Sequence, residues 1–291
     1  MHFETPGVLD LSLPDSNPAP LILDSPHSGR EYPDDFQVLV PKQDLRRVED
    51  NLVDLLFQDA PAQGAALLCA QFPRSYVDAN RAISDIDPAM LLGDWRAPLR
   101  PSEKSRLGHG LVWRTFPPDT PLYSGRLPVD MVEKRVDHYW RPYHETLEAE
   151  IRRLHTLFGS VWHINCHSMP STSSPLVPGR GGRRADFVLG DREGQSCDRS
   201  FTLFARDTLE SMGYCVRLND PYRGAELVRA YAAPEEGRHS LQIEINRGIY
   251  LNEQSLEPDR GFAALRETLR RFVAAAADFA RDQCAPAEAA E

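Results

Sequence analysis

Two histidines stand just after short apolar runs. His27 follows Leu21-Ile22-Leu23-Asp24-Ser25-Pro26, and His167 follows the run from Val161 to Cys166. Runs of this kind read as buried strands, and ligands of open α/β sheets bind beyond the carboxyl ends of strands. Two imidazoles in such positions suggest a metal centre. Imidazole suits zinc, and a catalytic zinc takes three protein ligands and keeps one position open. The third ligand would be Glu49 or Asp50. A helix across 44–57, with Leu45, Val48, Leu52, Leu55 and Leu56 at helical spacing, favours Glu49, which lies nearer the apolar stripe. Asp50 qualifies if it sits at the start of that helix. The plain alternative is that each histidine is a hydrogen-bonded structural residue, and His163, inside its apolar run, reads that way. Cys166 adjoins His167, but neighbours in a strand point to opposite faces.

The run Ser240 to Ile245 alternates strictly, with Leu241, Ile243 and Ile245 on one face and Gln242, Glu244 and Asn246 on the other. A carboxylate among apolar neighbours has a raised pKa. That suits Glu244 to a general base that takes a proton from water and returns it to a leaving amine. Its alternative is a buried ion pair with Arg247 or another arginine. Asp78-Ala79-Asn80-Arg81 ends another strand-like piece, Ser75 to Val77. An arginine fork grips a carboxylate with two hydrogen bonds, so Asn80 and Arg81 form a candidate anion clamp. Arg74, Arg223 and Arg229 could serve in the same way.

The elements that must position these residues follow from periodicity. Ala66 to Cys69, Phe187 to Leu189 and Tyr214 to Leu218 read as further strands. Val129 to Phe158 is the clearest amphipathic helix, stopped by Gly159. Ser200 to Met212, Ala225 to Tyr231 and Phe262 to Phe279 read as helices. Leu91 to Ser124 has little periodicity and reads as a long ordered excursion of the kind that covers a site. Ser171 to Arg184, with Arg180, Arg183 and Arg184, reads as a solvated basic loop, with closure over the site as its alternative. Strands alternating with helices imply an α/β fold with helices on both faces of a mixed, mostly parallel sheet. A single catalytic domain over 1–291 is expected, with a frayed tail from about Arg281.

Bulk properties narrow the function. With 43 acidic and 33 basic residues the net charge is -10, which argues against general nucleic-acid binding. No apolar run approaches the ~20 residues of a membrane span. Five widely spaced cysteines, Cys69, Cys166, Cys197, Cys215 and Cys284, fit reduced thiols, and with no signal peptide at the N-terminus a cytoplasmic protein is expected.

Taken in order, Asp24-Ser25-Pro26-His27-Ser28-Gly29, Glu49-Asp50 with Val53-Asp54, Arg74 to Arg81, Asn165-Cys166-His167-Ser168-Met169 and Gln242-Ile243-Glu244-Ile245-Asn246-Arg247 resemble the N-formylglutamate amidohydrolase family, over about Leu21 to Glu253. Asp78-Ala79-Asn80-Arg81 is also similar to the D-x-N-R segment of the aspartoacylase and succinylglutamate desuccinylase group, which shares a zinc carboxypeptidase-like fold with this family. The resemblance implies a three-layer zinc exopeptidase-like fold. It implies one Zn2+ per chain, or another divalent cation, on His27, Asp50 and His167, with Glu244 as the base. Asn80 and Arg81 would hold one substrate carboxylate, Arg223 or Arg229 the second, and Arg74 or Arg114 the oxyanion. Carboxypeptidase-like enzymes often carry H-x-x-E at the first metal motif. Arg30 stands in the glutamate's place here, so the third ligand must come from farther along the chain. The implied reaction is hydrolysis of N-formyl-L-glutamate to L-glutamate and formate, which the family name connects to histidine breakdown. The rival readings are a hydrolase of another N-acyl amino acid or peptide on the same zinc site, and a non-catalytic binder of an acidic metabolite. The intact set His27, Asp50, His167 and Glu244 argues against the binder.

Overall fold

A computed structural model describes residues 1–172 and 184–284. Eight strands make the main sheet: β1 (His2–Thr5), β2 (Leu9–Ser12), β3 (Leu21–Ser25), β4 (Ala66–Ala70), β5 (Val161–Met169), β6 (Phe187–Gly190), β7 (Val216–Leu218) and β8 (Arg238–Asn246). Their spatial order is β1-β2-β4-β3-β5-β8-β6-β7. The four central strands β4, β3, β5 and β8 run parallel. The β1–β2, β2–β4 and β6–β8 pairs are antiparallel, and β6–β7 is parallel. The sheet is therefore mixed, with a parallel centre, as the alternation of strands and helices predicts. Every residue of β3 and of β5 is buried, the pattern of parallel strands covered on both faces.

Helices cover both faces and make three layers. On one face α4 (Arg199–Ser211) and α6 (Phe262–Gln283) pack Phe201, Leu265, Leu269 and Phe272 against Leu21, Leu23, Ile164 and Ile243. On the other face lies one long helical run, α2 (Val129–Arg135) and α3 (Arg141–Phe158), with Val132, Tyr143, Leu147 and Ile151 against Ile22, Leu68 and Phe72. Wider π-type turns over Val136–Trp140 join α2 to α3, and Gly159, at φ +79°, stops α3. Among the described residues no helix is long and apolar enough to cross a membrane.

Three local expectations are corrected. No single helix spans 44–57. Helical turns at Lys42–Leu45 and Arg46–Val48 give way to an extended Glu49, and Leu52, at φ +65°, precedes the short α1 (Val53–Leu56). A leucine in the left-handed region cannot continue a helix without strain, so helical phase does not govern Glu49 and Asp50. Ser75–Val77 is not a strand; Arg74–Tyr76 form a turn closed by Tyr76 N–H donating to the Pro73 carbonyl. The β1–β2 hairpin, which adds an edge to the sheet, carries no clear period in the sequence. Phe262–Gln283 runs beyond the residue where fraying was expected, and 285–291 lie outside the described residues.

Beneath the site the layers are tied by one buried carboxylate. Asp24, on β3, accepts hydrogen bonds from Tyr143 Oη (2.6 Å), His163 Nε2 (2.8 Å) and Asn165 Nδ2 (2.7 Å). His163 has the structural role expected of it, its Nδ1 meeting Ser240 Oγ at 2.6 Å. Burial alone would push the Asp24 carboxyl up, but its bonds from His163, Tyr143 and Asn165 outweigh burial and hold it below its ordinary 3.8. A carboxyl whose folded pKa is depressed contributes stability above its unfolded pKa and loses it as pH falls through the folded value. Asp24→Asn is expected to cost about 2–4 kcal/mol near neutral pH, since a buried charged partner is removed from three donors. The penalty should shrink below pH 3.8. Urea unfolding of both proteins across this range checks it; an equal penalty at all pH values contradicts the assignment.

Candidate active site

His27 sits in the tight turn that leaves β3. Gly29 closes this turn against the next strand's exit: a Cβ on it would lie 2.2 Å from the Phe72 carbonyl oxygen, so only glycine allows the approach. His167 lies within β5, whose ladder with β8 continues through Met169, so it projects from the strand rather than from a loop after it. The extended stretch at Glu49-Asp50 brings Asp50 across both strand ends, with its backbone N–H on the His27 carbonyl.

One atom organises the centre. Asp50 Oδ2 lies 3.3 Å from His27 Nδ1 and 2.9 Å from His167 Nδ1. The two imidazole centroids are 4.7 Å apart, and one ligand atom from each of the three residues falls within 4.8 Å of the others. This buried His27–Asp50–His167 group could hold a metal ion. Glu49, the alternative favoured by helical phase, points elsewhere: its carboxylate takes Tyr32 Oη and Arg46 (2.6 Å).

The far side of each imidazole is also bonded. His27 Nε2 lies 2.7 Å from Asp78 Oδ1. His167 Nε2 lies 2.7 Å from Asn165 Oδ1 and 3.0 Å from Asn80 Nδ2. Because the Asn165 amide nitrogen donates to Asp24, its oxygen faces His167 as an acceptor, which places the ring proton on Nε2. A carboxylate does the same for His27. Both Nδ1 lone pairs then face Asp50, a donor set that could hold a cation, with outer bonds of the kind that orient metal-bound histidines. The other Asp50 oxygen takes Ser168 Oγ (3.1 Å) and Arg247 Nη2 (3.2 Å). Contact with the His167 and His27 rings holds the Asp50 carboxyl well below its usual range against the opposing effect of burial, and burial holds His167 low.

The group floors a cavity of about 490 Å³ whose wall includes Glu244. Glu244 is the direct cross-strand neighbour of His167. Burial, with the Asp50 charge adding, raises its carboxyl to about 8. The expected alternative, a pair with Arg247, does not form: Gln242 Nε2 donates to Glu244 at 3.0 Å, while Arg247 binds Asp50.

The arginines separate. Arg74 and Arg81 line the cavity, as does the exposed Arg223, which pairs with Glu193 at 2.8 Å. Arg74 donates to Asp78 Oδ2 at 3.0 Å and lies over the Trp113 ring. Arg81 is 3.9 Å from Asp85, and its Nε has no hydrogen-bond partner among the described residues. Arg229 does not line the cavity; it is exposed and paired with Glu226 at 2.7 Å, because the helix Glu226–Tyr231 turns it outward. Arg114 is likewise outside the lining and pairs with Asp87. Asn80 lines the cavity, but its amide is engaged within the protein: its nitrogen donates to Asn165 Oδ1 at 3.5 Å, and its oxygen accepts from Leu227 N–H. Arg180 and Arg183 lie outside the described residues. Cys166 faces the core away from the site.

The sequence profile of the N-formylglutamate amidohydrolase family matches residues 19–251. The chain belongs to this family. A curated relative, the N-formylglutamate deformylase of Pseudomonas aeruginosa, is 31% identical over 271 residues, 87% of this chain and 90% of its own. The N-formylglutamate deformylase of Pseudomonas putida is 29% identical over 80% of this chain and 82% of its own. A crystal structure of N-formylglutamate amidohydrolase from Ralstonia eutropha JMP134 is 42% identical and superposes with a TM-score of 0.90, over 95% of this chain and 99% of that one. The matched span contains His27, Asp50, Asn80, Arg81, His167 and Glu244, the residues that this member of the amidohydrolase family gathers at its cavity.

Sequence reasoning gave no role to Asp78, Asn165 or Ser168, nor to Arg247 as a clamp. Asn165 was findable: it lies two residues before His167, on the same strand face. Arg247 was not, because its bonds to the Arg47 carbonyl (3.0 Å) and the Glu49 carbonyl (2.7 Å) span 200 and 198 residues of sequence and its bond to Ser168 Oγ (2.9 Å) spans 79. Arg247→Ala should cost about 3–5 kcal/mol, the usual penalty for breaking a buried charge pair. Denaturant unfolding measures it; a loss below about 1 kcal/mol, typical of an exposed pair, would show that Arg247 does not clamp the segment from Arg47 to Asp50.

Proposed function

We propose that the chain hydrolyses N-formyl-L-glutamate to L-glutamate and formate, with zinc held by His27, Asp50 and His167 and with Glu244 as general base. The observation that carries this reading is the convergence of two Nδ1 atoms and one carboxylate oxygen beside a buried glutamate. Ligands about 2.1 Å from a tetrahedral ion lie about 3.4 Å apart, and the 2.9 Å and 3.3 Å contacts to Asp50 Oδ2 are close to that spacing. Three protein ligands in a cavity wall is the donor count of a catalytic site. When bound, the ion would supply a Lewis acid for the formyl oxygen and lower the pKa of the attacking water.

The chain's own residues do the rest. Glu244 accepts the proton of the attacking water and delivers it to the amide nitrogen, so that the C–N bond breaks and glutamate leaves as an amine. Arg74, rigid between Asp78 and Trp113, faces the cavity as the cation for developing oxyanion charge. Arg81 and Arg223 take the two carboxylates of a dianionic substrate; the cluster of cations in one cavity of an acidic protein supports this. Asn80 acts from behind, donating to the Asn165 oxygen that orients His167. Membership of a family named for this substrate, and 31% identity to a deformylase, support the formyl group over acetyl or succinyl.

Purified protein should carry about one zinc per chain, lose activity to a chelator and regain it with zinc. Glu244→Gln should keep the metal and lose 10²–10⁴-fold in kcat, the range for a general base. Formyl-, acetyl- and succinyl-L-glutamate assayed together should show clear preference for the formyl compound. Near-normal turnover by Glu244→Gln would assign the base elsewhere. Zinc without turnover of any of the three would favour a binding protein.

A further inference from the structure

The turn Asp78-Ala79-Asn80-Arg81 carries three separate duties. Asp78 holds His27, Asn80 donates to the Asn165 oxygen that orients His167, and Arg81 faces the cavity. Such a turn has no strand ladder of its own to fix it. Two of its carbonyls instead accept hydrogen bonds from ring nitrogens of one helix. Trp140 Nε1 donates to the Arg81 carbonyl at 2.9 Å, and His144 Nε2 donates to the Ala79 carbonyl at 2.8 Å. The two rings stack on each other, with centroids 3.7 Å apart and planes 21° from parallel. Trp140 closes the π-type turns of Val136–Trp140, and His144 follows one turn later. The extra residue of such a turn changes which side chains share a face, and π-type turns are frequent at functional sites.

The far side of His144 is fixed as well. A backbone carbonyl at Nε2 requires the proton there, so Nδ1 accepts from Tyr231 Oη at 2.7 Å. Tyr231 ends α5 (Glu226–Tyr231), and Leu227 N–H in the same helix donates to Asn80 Oδ1 at 2.9 Å. The turn is therefore gripped from both sides: by the long helix through two carbonyls, and by α5 through the Asn80 side chain, with Tyr231 and His144 joining the two grips. Burial keeps His144 neutral, lowering its pKa to about 4, as a single-donor, single-acceptor ring requires. Apolar packing alone would not need two ring N–H groups aimed at carbonyls two residues apart.

We infer that Trp140 and His144 are positioning residues that set the Asp78–Arg81 turn, and through it the grip of Arg81 on a substrate carboxylate. The consequence for Arg81 rests on the functional reading above; the anchoring of the turn does not.

Trp140→Phe tests this, because it removes the donor and keeps an aromatic ring on His144. Hydrogen exchange of the segment covering 78–81 should accelerate about tenfold, while exchange in the central strands stays unchanged. KM for N-formyl-L-glutamate should rise about tenfold, with kcat within about threefold, since misplacing a binding group by a fraction of an ångström weakens the grip first. In an Arg81→Ala background, Trp140→Phe should change KM less than about twofold, because the two act through one interaction. His144→Gln, which keeps a side-chain donor, should be milder than His144→Leu in the exchange measurement. Unchanged exchange at 78–81, uniform acceleration throughout the sheet, or a KM effect that adds in full to that of Arg81→Ala would each overturn the inference. If the wild type does not turn over N-formyl-L-glutamate, the functional reading falls, and the exchange measurement alone decides whether the rings hold the turn.

Discussion

Three acceptors that would repel one another are brought to a single point. His27 Nδ1, His167 Nδ1 and Asp50 Oδ2 converge there, and almost every polar contact around them serves to hold that arrangement. Each ring is turned by a partner on its other nitrogen, Asp78 for His27 and Asn165 for His167. The second oxygen of Asp50 is taken by Ser168 and Arg247. In a buried site an unpaired polar group costs about 1–3 kcal/mol, so each outer contact removes a penalty as well as setting an angle.

The parallel centre of the sheet explains why these residues can meet. β3, β5 and β8 are neighbours and run in one direction, so their carboxyl ends open on the same edge. His27, His167 and Glu244 come from three distant parts of the chain and arrive together for that reason. Asp50 and the Asp78–Arg81 turn reach the same edge without a strand and depend on other anchors. Arg247 clamps the first, and the Trp140–His144 pair holds the second. Below them Asp24 joins β3, β5 and the long helix, so the floor of the site is continuous with the core.

What could be read from the sequence divides along the same line. β3, β5 and β8 were legible because buried strands leave apolar runs or strict alternation; His167 and Glu244 were legible because they sit on such strands, and His27 because it follows one directly. The long helix was legible from its 3.6-residue period, but its π-type turns were not, since one extra residue scarcely disturbs that period. The helix expected over 44–57 shows the limit of pattern: Leu45, Val48, Leu52 and Leu56 all contact the core, yet Leu52 adopts φ +65° and the chain unwinds between them. Asp50 rather than Glu49 at the centre followed from family resemblance, against helical phase. Arg229 beside Arg223 in sequence looked equally able to bind an anion. Only the helix Glu226–Tyr231, by turning Arg229 outward onto Glu226, distinguishes them.

The convergence at Asp50 is tested most directly by X-ray absorption at the zinc edge of protein loaded with one equivalent of the metal. The account predicts a first shell of nitrogen and oxygen only, fitted by two imidazoles and one carboxylate at about 2.0–2.2 Å, with one imidazole lost in His167→Ala. A shell containing sulfur, or one that His167→Ala leaves unchanged, would contradict it.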